Sequence, residues 1–154
     1  MKKLEEHHDW TIAKIATSRF ELLEDENVED RVKHITTILT QQYPGKIIID
    51  LNGNGLHIIC EIEPTQDHTE YDRAIEVIIA SKPHKHMITT QHYTIISWNL
   101  QLHIDDSIIT LHPWDQYMIN PWLVHRASST NECIVETYSA PWWTAEDHIS
   151  SISD

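Results

Sequence analysis

His84-Lys85-His86 concentrates more potential chemistry than any other stretch of the chain. In an extended strand side chains alternate between faces, so His84 and His86 project together and can grip one cation while Lys85 projects away. Two later residues carry donor atoms suited to the same ion: Gln91, with a side-chain carbonyl oxygen, and His125, closing Asn120-Pro121-Trp122-Leu123-Val124-His125. Histidine is abundant, 12 of 154 residues, so composition alone produces some HxH pairs. What singles this pair out is the strand-like sequence around both halves of the set and the hairpin signal between them. His92, His103 and His112 also fall on strand-like runs; His92 adjoins Gln91 and so takes the opposite face, and all three read as surface or core histidines.

An imidazole-rich set suits zinc, iron, nickel or copper, whereas magnesium or calcium prefers more oxygens; manganese is the other divalent ion expected here. Gln91 is neutral, so three histidines and Gln91 leave a divalent ion its full charge, which predicts weaker binding and a stronger Lewis acid. The alternative is that Gln91 is only a polar strand residue and the ion has histidine and water ligands. Candidates for moving protons are Tyr93 and Tyr117, if they face inward, and Glu136, whose strand alternation permits either face. Glu61, Glu63, Asp67, His68, Glu70 and Asp72 read as an acidic loop, either solvated surface or a lid.

The net charge of -13 repels phosphate backbones, and the 11 basic residues form no patch, which argues against a nucleic-acid partner. Between Met87 and Asp154 the only basic residue is Arg126, which alternation turns away from its neighbour His125. A phosphate clamp normally uses Arg or Lys, and this region has little to offer one.

The elements that must position these residues follow from periodicity. At 154 residues the chain fits one domain. Val28, Val32, Ile35 and Leu39 recur at helical spacing, with Asn27 or Asp25 as N-cap and Pro44-Gly45 as the stop, predicting a helix over 27 to 42. Residues 1–43 thus read as an N-terminal helical extension and 44–154 as a β-domain with a C-terminal tail. Short β-branched runs cover 46 to 51, 57 to 62, 74 to 80, 91 to 97, 99 to 104, 107 to 112, 116 to 119 and 133 to 137. Asn52-Gly53-Asn54-Gly55 and Asp105-Asp106 supply hairpin turns. Many short strands in one domain imply a sandwich, barrel or jelly roll. Cys60 and Cys133 sit in apolar runs without CxxC spacing, as buried free thiols do. The N-terminus has no apolar core of a leader, and no run reaches the roughly 18 apolar residues of a membrane span, so a cytoplasmic protein with no membrane partner is expected.

The order HxH, four residues, Glu or Gln, then a distant His after a Pro-containing turn resembles the two signature motifs of the cupin superfamily. Gln91 stands at the Glu place, Trp98 at a Gly place beyond it, Ile78 at the Gly place before HxH, and Trp114 and Trp122 at Gly places of the second motif. Cys60-Glu61-Ile62-Glu63-Pro64-Thr65 and the tail from Tyr138 to His148 are similar to segments of small stand-alone cupins. More distantly the chain is similar to sugar-phosphate isomerases of the mannose-6-phosphate type. The resemblance covers roughly residues 57 to 149. It implies an all-β double-stranded β-helix, or jelly-roll barrel, holding one divalent metal on His84, His86, Gln91 and His125.

Three of the six tryptophans follow proline directly: Trp114, Trp122 and Trp142. Pro-Gly is the usual centre of a type II turn, whose second residue needs φ > 0; a Cβ there costs about 1–2 kcal/mol. With Trp98 as a fourth, either these rings fill volume at the barrel mouths or they are glycine codons read as tryptophan, since UGA differs in meaning between bacterial codes.

The expected function is a metal-dependent enzyme acting on a sugar or similar carbonyl compound, of isomerase type, with Glu136 or Tyr93 as proton carrier. Two other readings are a non-enzymatic module that binds a small ligand or metal, and an iron-dependent dioxygenase. A small-molecule substrate and a homodimer are the expected partners.

Overall fold

The computed structural model describes residues 28–64, 70–141 and 144–150. Helix α1 spans Val28–Gln42, with Glu29 and Asp30 in its first turn, where negative charge meets the positive end of the helix dipole. Asn27 and Asp25, the expected caps, lie outside the described residues. Ile35 and Leu39 are fully buried, and Gly45, at φ 79°, turns the chain out of the helix into the first strand. Gly55 answers a second demand: its φ is 73°, and a Cβ there would lie 2.8 Å from Val32 Cγ2, so α1 packs where only glycine leaves room.

Among the described residues ten strands follow: β1 Ile47–Asp50, β2 His57–Glu63, β3 Asp72–Ala80, β4 His84–Lys85, β5 Thr90–Ser97, β6 Leu100–Ile104, β7 Ser107–Leu111, β8 Gln116–Ile119, β9 His125–Ala140 and β10 Ile149–Ser150. They form one curled sheet, with the path β1-β2-β3-β9-β4-β10 and with β5, β6, β7 and β8 joined to it. All pairings are antiparallel. β9 is the hub. Its first residues pair with β4 and β6, and residues 133 to 140 lie between β3 and β5.

Side-chain alternation sorts residues into two apolar clusters. Ile35 and Leu39 of α1 pack with Ile58, Cys60, Ile75, Val77, Ile96 and Ile134 on one face of the sheet. Ile78, Tyr93, Ile95, Leu100, Leu102, Ile119, Cys133 and Val135 fill the inside. Both cysteines are free and buried, as expected.

Among the described residues, four other than glycine have positive φ: Trp98 (65°), Asp105 (52°), Trp114 (74°) and Trp122 (74°). Asp105 sits in the two-residue turn joining β6 to β7, where Ile104 pairs with Ser107. The three tryptophans have the conformation that the turn argument requires, while Trp142 lies outside the described residues. Among the described residues no helix is long and apolar enough to cross a membrane.

Candidate metal centre

His84 lies on β4 and His125 opens β9, where the two residues are register partners across the ladder. His86 follows β4, two residues from His84 and therefore on the same face. Their ring centroids are 4.2 Å apart for His84 and His125, 5.2 Å for His84 and His86, and 5.7 Å for His86 and His125. One ring nitrogen from each lies within 4.8 Å of the others, and all three residues are buried.

In each ring Nδ1 meets a backbone carbonyl: His84 with Lys82 O at 2.8 Å, His86 with Asp147 O at 3.0 Å, His125 with Leu123 O at 2.9 Å. A carbonyl can only accept, so Nδ1 carries the proton and Nε2 of the neutral ring keeps its lone pair. The Nε2 atoms of His86 and His125 and Oε1 of Gln91 are buried and have no hydrogen-bond partner. Burial drives all three imidazoles below their ordinary pKa, His125 to about 4, and the neighbouring imidazole of His125 adds to the shift at His84. They are therefore neutral at pH 7, the form that binds metal. The residues fit a metal ion, and the fit rests on tautomers fixed from behind and lone pairs without partners.

Gln91 of β5 is buried and lines a narrow cavity together with His84, Tyr93, Thr137, Ser139 and His148. The cavity leaves about 10 Å³ for the centre of a water molecule, room for one. Tyr93 points inward, whereas Tyr117 is half-buried and borders an open groove with His92 and Met118. The strand that carries Glu136 alternates Val135 and Thr137 inward, which turns Glu136 to the other face. There Arg73 bonds it through Nε at 2.9 Å and through Nη2, while Nη1 holds Glu63. The structure thus separates Glu136 from the histidines, because its carboxylate is the partner of a half-buried guanidinium.

Carboxylates from elsewhere occupy the cavity wall. Glu61 and Asp72, read from sequence as part of an acidic loop, are strand residues buried inside. Burial, and then the adjacent Asp72, push the Glu61 carboxyl up to about 8. Glu76 on β3 is also buried; His57 Nε2 donates to its Oε1 at 2.5 Å and Thr137 Oγ1 donates to its Oε2. Burial alone would raise Glu76, but these donors, with His148 nearby, hold it below the usual carboxylate range. Period-two spacing carried the signal for these residues: Asp72, Ala74 and Glu76 share one face of β3, and His57, Ile59 and Glu61 one face of β2. Asp67 and His68 lie outside the described residues.

The C-terminal segment crosses the site as a strap. β10 pairs with β4, so that Ile149 meets Lys85 and Ser150 meets His84. His148 stacks on His84 with centroids 3.9 Å apart and planes 14° apart. Burial and the nearby His86 lower its pKa to about 4. Asp147 accepts hydrogen bonds from the backbone N–H of Met87, Ile88 and Thr89.

No family model matches the chain, and no curated protein matches it in sequence. Solved structures match in fold. A Streptomyces PAC13 variant with uridine superposes with a TM-score of 0.61 at 10% identity, covering 72% of this chain and 90% of that one. KdgF from Halomonas sp. gives 0.53 at 13% identity, over 62% and 87%. An RmlC-like cupin from Shewanella frigidimarina gives 0.52 at 16% identity, over 67% and 88%. The fold is the cupin double-stranded β-helix.

Proposed function

On a cupin barrel that brings three neutral imidazoles to one point, we propose a metal-dependent enzyme acting on an uncharged, polyhydroxylated carbonyl compound by isomerisation. The observation that carries the reading is the set of lone pairs on His84, His86 and His125, each fixed by a backbone carbonyl behind the ring. These residues, with Gln91 beside them, would hold one zinc, iron, nickel or manganese ion, whose chemistry is to polarise a carbonyl or hydroxyl oxygen.

Isomerisation also needs a group that takes a proton from one carbon and a group that supplies one to its neighbour. The cavity contains two carboxyls whose surroundings push them in opposite directions, Glu76 downward and Glu61 up to about 8. At neutral pH that pair offers a base and an acid from the same residue type. The carboxylates and the absence of Lys or Arg among the lining residues disfavour a phosphorylated substrate. A protein of similar fold, Pac13, is a nucleoside dehydratase.

The narrowness of the cavity favours a second reading, a module that holds an ion without turning over a sugar. Two measurements decide. Elemental analysis of protein purified without added metal should find close to one ion per chain, and His86→Ala should lose most of it; equal content in the two would remove the site. Free aldoses and ketoses incubated in D2O with metal-loaded protein should acquire deuterium at the carbon beside the carbonyl. A bound ion with no exchange on any sugar leaves the binding module.

A further inference from the structure

At the place where the cupin motif has an anionic glutamate, this chain has neutral Gln91. An ion on three neutral imidazoles and an amide oxygen keeps its whole charge in a buried cavity, and a buried charge without a counter-charge is unfavourable. Strand β3, on the other side of β9 from the strand of Gln91, offers one. Glu76 lines the same cavity as His84, Gln91 and His148, is 4% exposed, and has both oxygens fixed by His57 and Thr137. Each carboxylate oxygen has a second lone pair, so acceptor capacity remains toward the cavity. Two buried polar atoms on the same cavity lack any partner, Oε1 of Gln91 and Oγ of Ser139. They line the cavity together with Glu76, and it has room for one water.

We propose that Glu76, held by His57 and Thr137, is the anion of this metal site: it supplies from β3 the negative charge that Gln91 withholds, from outside the set of direct ligands. Glu76 is not among the residues whose ligand atoms converge within 4.8 Å, which places it outside the first ring of ligands. It is a positioning residue in this role, and the charge lies two strands along the sheet, on β3 across β9 from the strand of Gln91, instead of disappearing. The inference rests on the metal-binding reading.

Charge rescue tests it. Zinc affinity is measured by chelator competition in wild type, Glu76→Gln, Gln91→Glu and the double variant, with circular dichroism and metal-free melting to confirm folding. Glu76→Gln keeps the shape of the side chain and should weaken zinc binding by about 10–100-fold, the usual cost of losing a partner of this kind. Gln91→Glu should tighten binding in wild type, and in the Glu76→Gln background it should restore affinity to near the wild-type value. A purely structural role for Glu76 predicts a lower melting temperature with no rescue from position 91. Zinc affinity within twofold of wild type in folded Glu76→Gln, or a loss that Gln91→Glu does not repair, overturns the proposal. If wild type and His86→Ala both fail to bind zinc, the metal site itself is wrong and the proposal falls with it. Zinc binding lost in His86→Ala but untouched in Glu76→Gln removes the proposal alone.

Discussion

Trp114 sets a strained backbone against an exposed ring: its φ is 74° and its side chain is 57% exposed, so little packing offsets the left-handed conformation. Trp114→Gly should therefore stabilise the protein by about 1 kcal/mol, raising the melting temperature by roughly 2–4 °C in a chain of this size. Trp122 has the same φ, but the Lys85 ammonium lies 5.0 Å from its ring centroid, and that contact, typically about 0.5–1 kcal/mol, reduces the gain. Trp98 packs against both apolar clusters, so its replacement by glycine should be neutral or harmful. Sequencing the gene gives an independent reading, because UGG at these codons excludes misread UGA. These turn positions were legible because backbone geometry is demanded locally. Glu136 was not: alternation allows two faces, and which one is inside depends on partners such as Arg73, 63 residues away.

At the scale of elements, α1 and most strands lie where apolar spacing places them, and the chief departure is β9. The sequence marks residues 133 to 137, yet the strand runs from His125 to Ala140. Its polar stretch Ser128-Ser129-Thr130-Asn131-Glu132 carries no β-branched run, and Ser128 is drawn into the sheet by Ala80 on one edge and Gln101 on the other. β4 and β10, of two residues each, are too short to leave a periodic signal. They matter to the site because β10 and Asp147 secure the strap over His84 and His86. Asp147→Ala removes the acceptor for three backbone N–H groups, an effect resembling loss of a helix cap, and should cost about 1–2 kcal/mol. Burial would raise the Asp147 carboxyl, but those N–H groups hold it below its ordinary 3.8. Its stabilisation is thus complete above about 3.8 and disappears as pH falls through the lower, folded value. Urea midpoints from pH 5 to pH 3 should fall in wild type, and Asp147→Asn should lessen the fall.

For the whole molecule, buried titrating groups set a stability optimum. His84, His86, His125 and His148 all have lowered pKa values, from 6.5 to about 4 for His125 and His148. As pH drops below 6.5 the unfolded chain takes up protons that the folded one refuses, so metal-free protein should lose stability steeply toward pH 4. Glu61 works in the opposite direction: between 4.5 and about 8 the unfolded chain has released a proton that the folded one keeps, so stability falls as pH rises. Chelator-treated protein should therefore be most stable near pH 6.5, and Glu61→Gln should flatten the alkaline side of the curve in denaturant melts at pH 6.5 and 8. The hub position of β9 also has a consequence for synthesis. Strands β3, β4, β5 and β6 all await an element that begins at His125, so a chain leaving the ribosome exposes their edges until about residue 140 has emerged. At about 5–20 residues per second that interval lasts seconds, during which unpaired strands are open to association with other chains. Nascent chains truncated before residue 125 should engage chaperones, and release should coincide with the appearance of β9.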